Sequence, residues 1–316
     1  MGIQYLNSYI KKNVSNESLV KISLKMLKGK IIAVDISIYL YRYLAEGELI
    51  ENIYHMLSIF YYYDIIPIFI FDGKPPIEKY KLIQKRNDEK NQARLTYKKL
   101  RQELENNNYD INYENKLIEN MENLKKKFIR LENYHLDKVK KLITAFGFSY
   151  LQANCEADVL CGKLVNKNIA WACMSEDMDM FLYGCSRVLR YFSIINHTAI
   201  IYNLKNILDD LNLTFKEFKE ICVISGTDYN LTPNTNLYKT LQYFQEYKKS
   251  TKKLDFFEWL ENNTNYVDNI YYLYNIFYMF KTDNIQLKEY NINLKKKDIN
   301  YDMIKEMMQP EGFIFT

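Results

Sequence analysis

Three apolar segments, each closed by an aspartate, constrain the fold of this chain more than any other feature of its sequence. They are KIIAVD (residues 30–35), IIPIFIFD (residues 65–72) and NIAWACMSEDMD (residues 168–179). Continuous apolar runs of this length are typical of strands that are buried on both faces of a parallel sheet. An amphipathic stretch of helical length, roughly residues 38–63, separates the first two runs. The order strand–helix–strand predicts an α/β fold.

The aspartates that end these segments are expected to meet in space. Ligands of open α/β sheets bind outside the carboxyl ends of the strands, so Asp35, Asp72, Asp177 and Asp179 should lie at one edge. Crowded carboxylates repel one another unless a cation lies between them, and Mg²⁺ prefers carboxylate oxygens. A solvated loop is the alternative for Asp177 and Asp179 alone. It does not explain why three strand candidates end in the same way.

Further acids follow two predicted helix boundaries. In the segment 154–165 we expect Asn154 to be the N-cap of a helix that carries Glu156 and Asp158 in its first turn. Asp228 follows a predicted helix that ends at a glycine. Acids in a first turn ordinarily complement the helix dipole, and an aspartate after such a glycine is ordinarily a turn residue. The helix with Glu156 and Asp158, however, immediately precedes the strand segment that ends at Asp177, which favours a shared site for these two acids.

Composition excludes several classes of protein. The 316 residues are 48% apolar and 26% charged, which is typical of a soluble globular protein. The most apolar stretch, residues 53–71, contains His55, Asp64 and Pro67, so we expect a buried helix followed by a strand, not a membrane span. No phosphate loop and no G-x-G-x-x-G motif is present, which argues against an ATPase or a dinucleotide enzyme. Three scattered histidines give little support for zinc or haem.

Cysteine usage indicates an intracellular protein, and the distribution of charge bears on whether nucleic acid is its partner. The five cysteines form no C-x-x-C pair, and an odd number fits reduced thiols. The sequence does not distinguish a nuclear location from a cytoplasmic site of viral replication. The net charge is only +4, but residues 74–141 contain 18 Lys and Arg against 11 Asp and Glu. This segment predicts long, solvated, basic helices, either a salt-bridged hairpin or a surface for nucleic acid.

In six ordered segments the sequence resembles the structure-specific 5′-nucleases of the flap endonuclease type, a PIN-like family. The segments are MGIQYL, GKIIAVDISIYLYRYL, IFIFDGKPP, CEADVLCGKLV, SEDMDMFLYG and SGTDY. The resemblance implies a mainly parallel central sheet flanked by helices. It also implies a nuclease region at residues 1–76 and 136–228, a basic helical arch at residues 77–135, and a C-terminal helical DNA-binding region at residues 229–316.

The resemblance also assigns roles to individual residues. The family's metal ligands fall on seven acids, namely Asp35, Asp72, Glu156, Asp158, Asp177, Asp179 and Asp228. They imply two Mg²⁺ ions, for which Mn²⁺ would substitute, in the hydrolysis of phosphodiester bonds. Lys79 and Arg86 match a pair that neutralises charge on the scissile phosphate. Tyr41 matches an aromatic residue that stacks on the terminal base pair, and Gly2 should lie near the DNA.

The sequence departs from the family pattern at several positions. Asp158 stands where a glutamate is frequent, which shortens the reach of that carboxylate. Asn234 and Asn236 stand where the family has the glycines of a hairpin that binds duplex DNA. Asparagine tolerates a left-handed backbone better than most residues, so we include both in the DNA-binding prediction. Residues 44–53 leave little room for the larger wedge loop of eukaryotic relatives.

Branched or flapped DNA is the expected partner. We expect the protein to be a monomer that does not associate with a membrane. Gln309 is followed three positions later by Gly312, so a sliding-clamp motif is not supported. One alternative is a phosphatase of the haloacid-dehalogenase type, which also carries D-x-D after a strand. That class leaves Asp35 and the DGKPP segment unexplained. The other alternative is a scaffold that binds branched DNA without cleaving it, although such a scaffold gains nothing from crowded carboxylates.

Overall fold

A mixed, mainly parallel sheet forms the centre of the protein. The computed structural model describes residues 2–106, 109–230, 235–250, 254–292, 294 and 297–315. Within these ranges there are seven strands: β1 (Leu19–Ser23), β2 (Ile31–Asp35), β3 (Ile66–Phe71), β4 (Ser149–Gln152), β5 (Ala172–Met174), β6 (Arg187–Ser193) and β7 (Thr198–Asn203). Their order is β1-β7-β6-β5-β2-β3-β4. The pairs from β6 to β4 are parallel, whereas β7 and β1 pair antiparallel. The predicted α/β class is confirmed.

The three predicted strands all exist, but one is much shorter than expected. The segments 30–35 and 65–72 form β2 and β3, whereas the segment 168–179 forms a strand only at β5. The chain leaves the sheet early because Asp177 begins a 3-10 turn at Met178–Phe181. The Asp177 side chain accepts a hydrogen bond from the backbone N–H of Asp179. The polar turn therefore outweighs the apolar pattern that precedes it.

Helices cover both faces of the sheet. They are α1 (Leu6–Asn13), α2 (Ser37–Glu46), α3 (Leu49–Tyr62), α4 (Tyr80–Asn106), α5 (Ile111–Lys127), α6 (Asn133–Ala145), α7 (Ala157–Asn166), α8 (Leu204–Leu211), α9 (Phe215–Ser225), α10 (Leu237–Lys249), α11 (Phe256–Asn263), α12 (Ile270–Met279) and α13 (Tyr301–Met308). Two apolar clusters result. Ala33 of β2 belongs to one, with α7, α9, α11 and α12. Its neighbours Ile32 and Val34 belong to the other, with α2, α3, α6 and α13, as strand alternation requires.

The single helix expected at residues 38–63 is in fact two helices. Helix α2 ends at Glu46, and the backbone N–H of Gly47 closes it by donating to the carbonyls of Tyr43 and Leu44. The chain then starts α3 at Leu49. The amphipathic pattern continues through the break because both helices bury their apolar faces in the same cluster. Periodicity alone therefore did not reveal the turn.

The basic segment forms the long solvated helices that its composition predicts. Helix α4 buries only Leu82 and Ala93, and α5 buries only Leu117. The two helices pack against each other as a hairpin. We call α4 and α5 the helical hairpin. Since so little of it is buried, its position relative to the sheet depends on the polar contacts at its base.

Two strongly apolar segments lie in different parts of the fold. Residues 53–71 form the end of α3 and then β3, as predicted, and no helix in the described ranges has the length and apolar character needed to span a membrane. The aromatic run 266–280 contains α12, in which Leu273 and Ile276 are buried. Its Tyr271, however, is 78% exposed. Only one face of that helix is core.

Gly73 marks a close approach between two backbones that a larger residue would disturb. Its N–H donates to the carbonyl of Cys155, and an added Cβ would lie 2.7 Å from that oxygen and nearer still to the carbonyl oxygen of Ala153. Because backbone cannot move aside cheaply, we expect Gly73→Ala to lower the free energy of unfolding by about 1–3 kcal/mol. Urea unfolding of purified protein measures this change. The adjacent exposed variant Lys74→Ala should stay within about 0.5 kcal/mol, and equal values for the two variants would contradict the steric explanation.

Candidate active site

The predicted acids are positioned by three strand ends, one helix start and one turn. Asp35 is the last residue of β2, and Asp72 directly follows β3. These strands are neighbours in register, so both acids lie at the same edge of the sheet. Asp177 comes three residues after β5, which pairs with β2 on its other side. The prediction that the strand-end acids share one edge is therefore confirmed by the topology.

Glu156, Asp158 and Asp228 join this edge from helix boundaries. Glu156, not Asn154, occupies the N-cap position of α7, and Asp158 lies in the first turn. The expectation that Asn154 caps the helix was wrong. The chain instead bends at Asn154 and Cys155 before the helix begins, and the Asn154 N–H donates to the Tyr290 hydroxyl. Asp228 lies in the turn that follows α9.

The structure brings most of the predicted site residues together in one cleft. This cleft has a volume of about 760 Å³, and we call it the acidic cleft. The predicted residues that line it are Asp35, Tyr41, Asp72, Lys79, Arg86, Glu156, Asp158, Asp177 and Asp228. Asp179 is 4% exposed and lies behind the lining, beside Asp177.

Burial and mutual repulsion disfavour the charged form of several of these acids. Burial, followed by the nearby Asp72, raises the pKa of Asp35 to about 7. Burial and the carboxylate of Asp35 raise the pKa of Asp158 well above its usual range. Burial and Asp177 do the same to the pKa of Asp179. Carboxylates whose charge is this poorly compensated favour the binding of cations.

Two cations from the base of the helical hairpin enter the acidic cleft. The Lys79 ammonium forms an ion pair with Glu156 and lies 3.5 Å from Asp228 Oδ2. Arg86 Nη2 lies 3.0 Å from the same oxygen. Burial would lower the pKa of Lys79, but the charge of Glu156, its hydrogen bond to the ammonium and the charges of Asp228 and Asp158 together outweigh that effect and raise the pKa. Lys79 therefore stays protonated at neutral pH.

The donor chemistry of the acidic cleft fits hard divalent cations. Carboxylate oxygens are the ligands that Mg²⁺ takes. The Oδ1 atoms of Asp158 and Asp179 are buried without a hydrogen-bond partner in the described ranges, and unpaired buried acceptors of this kind are costly. No three His, Cys, Asp or Glu side chains of the described residues already converge as a ligand group. Lys79 instead lies between Glu156 and Asp228, where it compensates part of their charge.

Sequence reasoning missed the residues that hold the acids in place. The Tyr229 hydroxyl donates to Glu156 Oε2 at 2.6 Å and contacts the Tyr183 hydroxyl at 2.7 Å. The Ser175 hydroxyl donates to Asp35 Oδ2 at 2.9 Å. The signal available was proximity, because Tyr229 follows Asp228 and Ser175 precedes the D-x-D turn. Neither residue type is distinctive enough on its own.

Arg190 is a further unpredicted residue of the cleft. It is 5% exposed, and its Nη2 donates to the carbonyl of Glu176 at 2.8 Å. Its Nη1 donates to Asn7 Oδ1 at 2.7 Å. The guanidinium therefore joins α1 to the segment that carries Asp177. An arginine inside the apolar run of β6 was the only sequence signal.

The predicted DNA-contacting residues have different surroundings. Gly2 has φ +74°, and an added Cβ would lie 2.5 Å from Asp179 Oδ1 and nearer still to Asp177 Oδ1, so this position requires glycine. Tyr41 on α2 is 47% exposed at the cleft. Asn236 is the N-cap of α10, where its side chain accepts from the Lys239 N–H. Asn234 lies outside the described residues. A role in DNA binding stays a prediction for all four.

A PIN-like α/β fold with an acidic cleft at the carboxyl edge of its sheet is the class that these observations define. Residues 1–93 match the XPG N-terminal domain, and residues 147–228 match the XPG I-region, together more than half of the chain. The chain belongs to the flap endonuclease-like family of 5′-nucleases.

Curated relatives agree with this assignment. Flap endonuclease 1-A of Xenopus laevis is 28% identical in an alignment 247 residues long, which covers 72% of this chain and 61% of the relative. Flap endonuclease 1 of Methanococcus aeolicus is 27% identical and covers 73% of this chain and 70% of the relative. The chain thus spans about three fifths of the length of several curated relatives it matches.

The likeness in structure extends over nearly the whole chain. The catalytic core of Rad2 in complex with DNA substrate has a TM-score of 0.70 at 17% identity and covers 98% of this chain and 95% of the other. Flap endonuclease-1 from Methanococcus jannaschii has a TM-score of 0.66 at 20% identity, with coverage of 98% and 93%. At such low identity these two structures support the fold alone.

Titration of Asp35 gives the metal-free protein a characteristic pH dependence. A folded-state pKa of about 7 lies above the ordinary value of 3.8. This group therefore stabilises the fold below about pH 4, and that contribution, on the order of a few kcal/mol, is lost as the pH rises through 7. Asp35→Asn removes the titration. We expect its melting temperature in EDTA to fall less between pH 5 and 8.5 than that of the wild type.

The exposed variant Asp268→Asn serves as the control and should follow the wild type. Melting curves at four pH values in that range measure the difference. If Asp35→Asn and the wild type lost stability in parallel, the crowding of charge around Asp35 would not be the cause.

Proposed function

We propose that the protein is a divalent-metal-dependent, structure-specific 5′-nuclease. It hydrolyses phosphodiester bonds near the junction between a single-stranded 5′ arm and a DNA duplex. The observation that carries the proposal is the acidic cleft, where strand-end acids meet Lys79 and Arg86 from the base of the helical hairpin. Family membership supports it, since the cleft residues are those that the resemblance assigns to metal and phosphate.

Seven acids would hold the metal, two Mg²⁺ ions by our proposal, with Mn²⁺ as a substitute. They are Asp35, Asp72, Glu156, Asp158, Asp177, Asp179 and Asp228. When bound, such ions lower the pKa of a coordinated water and stabilise the leaving oxygen of an in-line displacement. Their charge would also replace the partial compensation that Lys79 now supplies to Glu156 and Asp228.

Lys79 and Arg86 are the residues of this chain suited to the scissile phosphate. Both side chains already reach Asp228, and a phosphate oxygen is an equivalent partner for an ammonium or a guanidinium. Exchange of the carboxylate for the phosphate would place positive charge where negative charge develops in the transition state. Their position at the base of the helical hairpin would couple that exchange to the single strand held by the hairpin.

The surrounding surface suggests how DNA would be held. The exposed ring of Tyr41 at the cleft is available to stack on a terminal base pair. The basic helical hairpin would attract the single-stranded arm through its phosphates. We also propose that the protein is monomeric and intracellular. A haloacid-dehalogenase-type phosphatase is set aside because the chain belongs to another family.

Single-turnover cleavage of a flap substrate tests the proposal. The wild type should incise a 5′-labelled flap duplex near the flap base with Mg²⁺, whereas Asp177→Asn should bind the duplex and leave it intact. Binding by the wild type without incision, across Mg²⁺, Mn²⁺ and several branched substrates, would favour the scaffold that recognises DNA without cleaving it. Absence of binding to any branched DNA would overturn the proposal entirely.

Removal of the Lys79 charge should reduce the rate without abolishing binding. We expect Lys79→Met to slow single-turnover cleavage by roughly 10²-fold or more, because an electrostatic contact to the transition state is lost. Lys25 lies exposed in the 3-10 helix Leu24–Leu27. Lys25→Met is therefore the matched control and should cleave normally. A Lys79→Met protein that cleaves at the full rate would remove this residue from the reaction.

A further inference from the structure

A second cavity of about 840 Å³ lies away from the acidic cleft and shares none of its lining residues. It is bounded by the end of α7, the turn after the D-x-D segment, α8, the start of α9 and the end of α12. Its volume is in the range of small-molecule sites in proteins, about 300–1,000 Å³. We call it the lysine cavity, since four lysines line it: Lys205, Lys216, Lys219 and Lys281.

Lys219 is the unusual residue of the lysine cavity. Lys219 is only 4% exposed. The ammonium lies 4.4 Å from the centroid of the Phe277 ring and 5.8 Å from that of Phe280. No ion pair or hydrogen bond joins it to a carboxylate of the described residues. The neighbouring Glu220 pairs instead with Lys216.

This arrangement of Lys219 is unfavourable for the protein without a ligand in the lysine cavity. A buried ammonium without an anionic partner is costly, and contacts with aromatic faces offset only part of that cost. Burial and the nearby charge of Lys281 lower the pKa of Lys219 to about 8. An uncharged side chain of similar length would satisfy the same apolar packing. The presence of lysine here therefore calls for a partner that the described chain does not supply.

The rest of the lining indicates the chemistry of that partner. Lys205 and Lys281 form no ion pair within the described ranges, whereas Lys216 lies near Glu220 and Asp255. The lining also includes two aspartates, Asp209 and Asp283, so its formal charge is +2. Between the charged groups lie apolar side chains such as Phe215, Leu208 and Leu213. Positive charge beside aromatic and aliphatic surface suits a molecule that has both an anionic group and an apolar body.

We propose that the lysine cavity binds a small amphipathic anion, in which a phosphate or carboxylate group contacts Lys219 and an aromatic or aliphatic body packs against the neighbouring phenylalanines. The proposal does not depend on nuclease activity, because the two cavities have separate linings. Phosphate and carboxylate share the chemistry that an ammonium recognises, and the choice of probes distinguishes them.

Calorimetric titration of the full chain at pH 7 tests the proposal with three probes: phenyl phosphate, phenylacetate and inorganic phosphate. We expect phenyl phosphate or phenylacetate to bind at least tenfold more tightly than inorganic phosphate. Lys219→Met should weaken that binding at least tenfold, because it keeps the apolar stem and removes the charge. The same variant should cleave the flap substrate at the wild-type rate and melt at the same temperature as the wild type or higher.

A second variant keeps the test decisive if Lys219→Met does not fold. Lys281 is exposed, so Lys281→Met should fold normally and weaken binding of the tighter aromatic probe at least threefold. Lys25 does not line the cavity, so Lys25→Met should bind like the wild type. Unchanged affinity in both lining variants would place the probe elsewhere, for instance at Lys79 and Arg86, and would overturn the proposal. The absence of binding by any of the three probes at millimolar concentration would also overturn it.

Discussion

The convergence of carboxylates at one edge of a parallel sheet is the constraint on which the rest of this structure depends. Like charges a few ångströms apart in a partly buried site repel one another by several kcal/mol. The protein reduces this repulsion with Lys79 and Arg86, which reach Glu156 and Asp228 from the start of the helical hairpin. Because the hairpin buries so few of its own side chains, these ion pairs also fix its base above the cleft. The same ion pairs therefore compensate the charge of the acids and position the helical hairpin.

Asp35, Asp72 and Glu156 are held by different parts of the fold, which keeps the cleft open. Asp35 accepts from the Ser175 hydroxyl after β5, and Asp72 accepts from the Ala157 N–H at the start of α7. Glu156 accepts from Tyr229, which follows α9. Such cross-bracing costs stability, since these groups would be easier to accommodate in a neutral core. The same hydrogen bonds keep these carboxylate oxygens from turning toward one another or into the space between them.

The sequence revealed those parts of the fold and the site that follow from a regular pattern. Buried strands ending in aspartate predicted the sheet and its acidic edge, because register and strand direction carry side chains to a common edge. The end of β5 and the break between α2 and α3 were missed, since local capping outweighed the apolar periodicity there. Tyr229, Ser175 and Arg190 could not be predicted because each acts through contacts with residues far away in sequence.

Two lysines with little solvent exposure, Lys79 and Lys219, show how the same side chain acquires opposite properties from its surroundings. Lys79 lies among carboxylates, which raise its pKa and keep its charge permanently available. Lys219 is buried against aromatic rings near Lys281, and its burial and the charge of that lysine lower its pKa and make the charged form costly. The first arrangement is stable in the empty protein and must exchange partners when a phosphate arrives. The second is unfavourable when empty and improves when an anion enters. The charge of Lys79 therefore stabilises the fold, whereas the charge of Lys219 would be stabilised by a bound anion.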